Sequence, residues 1–445
     1  MLPSSDCVSG AAYVRRVGRR KAFTGPGGTA LRAPALGSSL AGVGRGLLAL
    51  LAVLVGGLAL AVPEGRGAVY GPPRGKIFHG GTGGYKERHI RQFGRRSGRR
   101  PAVYQYFFTA NWTRPSRRSL HWQKWLIRKT GWQGARAIFH LSTARGGHGR
   151  SVVTPRGIAR GRGDPYLLSL GRLIARSRAV VYVRVMAEMN NFNNPYCSVS
   201  ATGAPRGRNH TPAAYRQAFR RTALILRGGR RSRIDRRLRR LGMPGVRTGE
   251  RRLSRARASL MWNPFTGGLP DVPGNGPGSY WPGSRYVDWV GTDLFANSPN
   301  FRGLQRFYRD PRWRHKPFML GEWALWGAED PRFVRRLFGW IRSHRRVRME
   351  VYNQGAHLYR YLSLGSFPRS ARVLRRQVRS RRFAAYPPEL RRRKRRRPPS
   401  HEPSPPPGET PATPPAPPAQ PGQPTPVEPP EEPLPLLPGL PLPLP

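Results

Sequence analysis

Two glutamates stand where an apolar run gives out. The chain reads Arg184-Val185-Met186-Ala187-Glu188-Met189-Asn190-Asn191 in one place and Lys316-Pro317-Phe318-Met319-Leu320-Gly321-Glu322-Trp323 in another. Only 13 acidic residues fall between residues 67 and 385, so a carboxylate at the end of such a run is conspicuous. Two carboxylates facing each other across a cleft are what glycoside hydrolysis needs. One protonates the leaving oxygen, and the other attacks the anomeric carbon or activates water. In a retaining enzyme the two carboxyl groups stand about 5–5.5 Å apart. The attacking carboxylate must be ionised, which requires a cationic or hydrogen-bonding neighbour, whereas the donor must be less well paired. Strand alternation puts Arg184, Met186 and Glu188 on one face, with Arg184 beneath the site as the first candidate for that cation. The plainer reading of either glutamate alone is a salt-bridge partner in a very basic chain.

Other chemistries find little support. The ten histidines are scattered, and no H-x-x-x-H or C-x-x-C spacing suggests a metal. No G-x-S-x-G elbow or P-loop occurs, so no metal and no cofactor are expected. Two cysteines, Cys7 and Cys197, exclude a disulfide scaffold.

The elements that must hold the glutamates alternate regularly. Runs rich in Val, Ile, Phe and Tyr predict strands near 76–79, 102–108, 136–141, 180–186, 259–262, 287–293, 317–321 and 349–352. Helical patterns follow at 85–93, 117–129, 164–176, 211–226, 300–308, 330–344 and 368–382, and the fifth unit is a Gly/Pro loop without a clear helix. Asp330-Pro331, Asp164-Pro165 and Thr211-Pro212 read as N-caps followed by proline at the first helical position. Eight strands with intervening helices predict an α/β fold, the (β/α)₈ TIM barrel, whose active site lies at the C-terminal ends of the strands. An open doubly wound sheet is the alternative, weakened because no G-x-G-x-x-G follows the first strand.

Sugar sites also need aromatic platforms for the apolar C–H faces of pyranose rings. Trp112 follows the second strand, Trp262 ends the fifth, and Trp281, Trp323 and Trp326 fall in loops at the same mouth. Core packing is the competing reading for any one of them. Residues 267–283, rich in glycine and proline, are expected to form a rim loop over the cleft.

Taken together, these motifs resemble glycoside hydrolase family 26, which contains the endo-β-mannanases and belongs to a clan of retaining (β/α)₈ glycosidases. Arg184-x-x-Ala187-Glu188-Met189-Asn190 is similar to the family's R-P-x-H-E-M-N on strand four. Tyr280-Trp281-Pro282-Gly283 and Tyr286-Val287-Asp288-Trp289-Val290-Gly291-Thr292-Asp293 resemble its Y-Y-P-G-D-x-Y-V-D-x-V-G-x-D-x-Y, and Lys316-Pro317 followed by Glu322 resembles its K-P…E. The resemblance spans most of 75–365. It implies that Glu188 is the acid/base and Glu322 the nucleophile, with Arg184, Asn190 and Asp293 lining the site. Three positions depart from the pattern. Ala187 replaces a histidine, Phe295 replaces a tyrosine that can bond the nucleophile, and Tyr352 is the nearest aromatic to a tryptophan platform on strand eight.

Composition frames the whole. The 445 residues carry a formal net charge of +59, and 65 basic residues against 13 acidic ones fall within 67–385. Arginine outnumbers lysine 73 to 7, which suits either GC-rich codon usage on a solvated surface or attraction to a polyanion such as an anionic cell-wall polymer. No recognised nucleic-acid module accompanies the charge, so no specific nucleic-acid partner is expected. Residues 1–45 read as a basic disordered leader, and 46–62 as an uncharged apolar run within a signal peptide or membrane anchor at 46–66. The barrel is placed at 67–385, and 386–445, with 24 prolines, reads as a disordered tail. The expected protein is secreted or anchored outside the cell, touching membrane only through 46–62 if that run is not cleaved. It acts on a polysaccharide with a β-linkage, mannan-like or otherwise. A non-catalytic barrel binding cell-wall glycan and a polyanion binder are the alternatives.

Overall fold

The computed structural model describes residues 69–109, 111–144, 151–355 and 358–390. The leader, the apolar run 46–62 and residues 391–445 lie outside the described residues. Eight parallel strands run in sequence order: β1 (Ile77–Thr82), β2 (Val103–Thr109), β3 (Arg136–Ser142), β4 (Val181–Val185), β5 (Ala258–Trp262), β6 (Trp289–Phe295), β7 (Phe318–Ala324) and β8 (Val347–Tyr352). β8 pairs with β1, with Phe78 opposite Met349 and Gly81 opposite Tyr352, so the sheet closes into a barrel.

Period-two alternation sorts the strand residues into two apolar layers. Phe78, Val103, Ile138, Tyr182, Met261, Trp289, Met319 and Met349 fill the barrel interior. Their neighbours, such as Val181, Val183 and Val185 on β4, point outward into the larger cluster shared with the helices. Each large side chain buried in this way contributes about 1.5–3 kcal/mol relative to exposure.

Helices cover the outside: α1 (Glu87–Ser97), α2 (Arg117–Trp132), α3 (Asp164–Ser177), α4 (Pro212–Arg227), α5 (Phe301–Arg309), α6 (Pro331–Ser343) and α7 (Pro368–Val378). Asp330 and Thr211 cap α6 and α4, accepting from the backbone N–H of Phe333 at 2.7 Å and Ala214 at 3.1 Å. Asp164 does not cap. It lies in the first turn of α3, where its carboxylate bonds the buried Arg221 guanidinium at 2.7 and 2.5 Å. The fifth unit has no α-helix, only a short 3-10 turn at Pro277–Tyr280. A helix at Arg231–Arg240 escaped the sequence pattern because only Ile234 and Leu238 give it an apolar stripe. Packing also runs past the expected boundary at 385. Glu389 lies in a 3-10 turn (Pro388–Leu390) and forks onto Arg136 at 2.8 and 2.6 Å. Among the described residues, no helix is long and apolar enough to cross a membrane.

Candidate active site

One step above the apolar interior, the inward positions turn polar. Gln105 follows Val103 by two residues, and His140 follows Ile138. Arg184 follows Tyr182, Asn263 follows Met261, and Asn353 follows Val351. At the centre is Arg184, buried inside the barrel. Its guanidinium donates to Asp293 Oδ2 at 2.5 Å and to Glu322 Oε1, and one Nη lies 3.4 Å from His140 Nδ1.

Glu322 reaches this layer through a β-bulge. Strict alternation from Met319 would send it outward. In the pairing of β6 with β7, however, Thr292 opposes Leu320 and the next residue, Asp293, opposes Glu322. Gly321 is therefore the extra residue, and it re-aims the carboxylate inward. Only glycine fits there, because a Cβ would lie 1.9 Å from Asn263 Oδ1. The bulge also explains why β7 extends to Ala324 rather than stopping before the glutamate. Besides Arg184, Glu322 accepts from Gln105 Nε2 at 3.1 Å and Asn353 Nδ2 at 2.6 Å, and His140 Nδ1 lies 3.7 Å away.

Glu188 lies beyond the end of β4, on a turn in which Met186 and Glu188 both hold left-handed φ values of 45° and 53°. Such a conformation costs about 1–3 kcal/mol per residue and persists only where the surroundings fix it. Here the Glu188 N–H donates to Asn263 O at 2.6 Å, and Asn194 Nδ2 donates to its carbonyl at 3.0 Å. The turn breaks the face expected to carry Arg184, Met186 and Glu188 together, and Met186 joins the outer apolar cluster. Among the described residues, the Glu188 carboxylate receives Asn191 Nδ2 at 3.2 Å and no guanidinium.

Carboxylate oxygens of Glu188, Asp293 and Glu322 lie within 4.8 Å of one another. Their surroundings separate them electrostatically. Burial pushes the Glu188 carboxyl well up, and the neighbouring charges of Asp293 and Glu322 add to this. Burial also works against ionisation of Glu322, but the Arg184 charge, His140 and its hydrogen bonds outweigh it and bring the carboxyl down to about 2. Asp293 lies between the two. Burial raises it and Arg184 opposes, leaving it at about 6. Three oxygens this close could also gather round a cation, but the Arg184 guanidinium already compensates two of the three carboxylates.

The structure brings Glu188, Glu322, Arg184 and Asp293 together. It gives the other candidates different work. Both ends of the Asn190 side-chain amide hold the loop after β5, donating to Gly267 O at 2.7 Å and accepting from Phe265 N at 2.9 Å. Four of the expected platforms are fully buried: Trp112, Trp262, Trp323 and Tyr352. Trp262 and Tyr352 occupy outward strand positions, and the bulge that turns Glu322 inward turns Trp323 outward. Its indole N–H reaches Glu350 at 2.7 Å behind the barrel. Trp112 donates to Ser142 O at 2.9 Å and packs on Tyr166. Trp281 is half-buried against Trp262 and Trp313, in an aromatic knot on the helix side of β5. Of the expected platforms, Trp326 lies at the rim, in the company of rings that were not expected as platforms. Phe295 meets Trp326 edge-on at 5.1 Å, Trp326 lies 5.7 Å from Tyr361, and Tyr361 stacks on Tyr359. Gln105, His140, Asn263 and Asn353 were missed, although each falls at an inward position two residues past an interior apolar one.

No protein-family model matches the chain, and no curated protein matches it. Solved structures similar to it include mannanases and a GH26 protein. Bacillus subtilis mannanase man26 is 13% identical, with 72% of this chain and 90% of that one covered at a TM-score of 0.43. The Cellulomonas fimi endo-β-1,4-mannanase is 15% identical, covering 69% and 75% at 0.46. GH26A from a Muricauda species is 13% identical, covering 69% and 91% at 0.44. The barrel itself rests on this chain's own strand pairing.

Proposed function

We propose that this chain is a glycoside hydrolase of the family 26 kind, cleaving a β-linked polysaccharide, mannan-like or another β-glycan, with retention. The observation that carries the reading is the opposed tuning of two carboxyls within 4.8 Å, Glu322 held ionised and Glu188 held protonated. That closeness suits direct attack, whereas an inverting pair stands about 6.5–9.5 Å apart to admit a water.

In the first half-reaction, the Glu322 carboxylate forms a bond to the anomeric carbon as the bond to the leaving oxygen breaks. Glu188 passes its proton to that oxygen. Once Glu322 is an ester its negative charge is gone, and with it one of the charges holding the Glu188 proton. Glu188 can then take a proton from water, which attacks the anomeric carbon and releases Glu322. Arg184, Gln105 and Asn353 keep Glu322 oriented throughout. Purified protein screened against mannans, glucans and xylans tests the substrate class. Turnover should vanish in Glu322→Ala. It should be partly restored by azide in Glu188→Ala, where the small anion attacks the glycosyl-enzyme from the vacated side. No turnover on any β-glycan would leave the non-catalytic barrel as the better account.

Export belongs to the same proposal and rests on the uncharged run 46–62 behind Arg45. A mature N-terminus near Val62 would support cleavage, and an intact run in the membrane fraction would support an anchor.

A further inference from the structure

The end of the barrel opposite the carboxylates carries a concavity of about 1280 Å³. Its position follows from the topology. Arg100 precedes β2, Arg136 opens β3, Arg178 precedes β4 and Arg257 precedes β5, so the pit lies at the N-terminal ends of the strands. Lys124, Arg128 and Arg176 complete a ring of seven cationic side chains. Glu389 is the lone carboxylate among the described residues lining the pit, and both its oxygens are taken by Arg136. Two aromatic rings line the same pit, each approached by a guanidinium. Arg128 lies 5.3 Å from the Trp132 ring and Arg100 lies 5.8 Å from the Tyr386 ring.

We propose that this pit binds an acidic glycan, a polymer of uronate-bearing pyranose rings, at a site separate from the cleaving mouth. The chemistry matches on both counts. Guanidinium forks pair with carboxylates in plane, and Trp132 and Tyr386 offer flat faces to the apolar C–H side of a sugar ring. A nucleic-acid strand asks for cations strung along a groove, whereas here they ring a pit. Held by this pit, the protein would keep its mouth free for a second polysaccharide chain.

The test uses the full chain and polygalacturonate as the probe, with single-stranded DNA and neutral dextran beside it. Arg176→Ser, Arg178→Asn and Arg257→Ser together remove three exposed charges from the pit, and asparagine tolerates the left-handed φ of 54° at position 178. This variant should weaken polygalacturonate binding about tenfold or more. Arg302→Ser, Arg306→Ser and Arg309→Ser together, three exposed positions on α5, should not. Trp132→Ala should weaken binding without any change of charge. Equal losses in the two triple variants would reduce the effect to net charge and overturn the site. Tighter binding of the DNA with the same sensitivity to the pit variant, or no binding of polygalacturonate at all, would overturn the assignment to an acidic glycan.

Discussion

A carboxyl is a proton donor or a nucleophile according to what surrounds it, and Glu188 and Glu322 have opposite surroundings within one cluster. Asp293 is the residue that couples them. After burial, its negative charge is the largest influence holding the proton on Glu188. Removing that charge in Asp293→Asn should lower the Glu188 pKa, and the alkaline limb of the kcat/KM profile should move to lower pH. A limb that stays in place would separate Asp293 from the acid. Orientation of Glu322, the proposed nucleophile, is a distinct matter. Asn353 donates to Glu322 Oε2, while Arg184 and Gln105 bond the other oxygen. A hydrogen bond to a charged group is worth about 1.5–3 kcal/mol, so Asn353→Ala should lower kcat about tenfold to a hundredfold. Phe295 already packs on Trp326, and Glu322 has donors without a tyrosine at 295. Phe295→Tyr should therefore leave kcat within about twofold. A large loss would mean that this corner of the rim is built around the phenyl ring.

At the scale of elements, the barrel was legible because its signals are local and repeated. Apolar runs at regular spacing marked eight strands, and the caps at Thr211 and Asp330 marked helix starts. The two glutamates were legible for the same reason, each ending an apolar run. Most of the platforms were not, Trp326 excepted, because a tryptophan near a strand end carries no mark of the face it occupies. Alternation decides that only when the register is known, and the bulge at Gly321 breaks the register at the residue that matters. Gln105 and Asn353 were passed over because single amides in strands look like ordinary polar positions until the layer beneath them is known to be apolar. The bulge supplies a direct test. Gly321→Ala would set a methyl 1.9 Å from Asn263 Oδ1, so β7 must shift or Asn263 must leave. Overpacking of this kind costs about 1–3 kcal/mol, and the reorientation of Glu322 should remove most turnover. Gly339→Ala is the contrasting change. Its Cβ would meet only Arg342 Nη2, at 4.0 Å, within α6, and the helix should gain about 0.5–1 kcal/mol. Thermal melts of the two variants should move in opposite directions.

The whole molecule carries a load that no single contact reveals. Between residues 67 and 385, 65 basic residues face 13 acidic ones, and several of those acids are buried against arginines, Asp293 and Glu322 against Arg184 and Asp164 against Arg221. Few remain to offset the charge on the surface, and a compact body of one sign repels itself. Titration offers little relief, since arginine keeps its proton at any ordinary pH and lysine contributes only 7 of the 80 cations. Lowering the pH makes matters worse, because it removes carboxylates that still attract, such as Glu389 against Arg136. Screening is the lever left. Raising monovalent salt from about 10 mM to about 150 mM shortens the Debye length from about 30 Å to about 8 Å, below the spacing of most surface charges on a barrel of this size. The melting temperature should therefore rise with salt, by several degrees if screening recovers on the order of 1–2 kcal/mol. Removal of the Pro-rich residues 391–445 should leave that dependence in place, since the charge belongs to the barrel. Truncation at 385 should lower the melting temperature, because it removes Glu389 from Arg136 and strips Tyr386 from the pit. A melting temperature that falls as salt is added would mean that attractive pairs outweigh repulsion on this surface, and the polyanion site would then lose its electrostatic rationale.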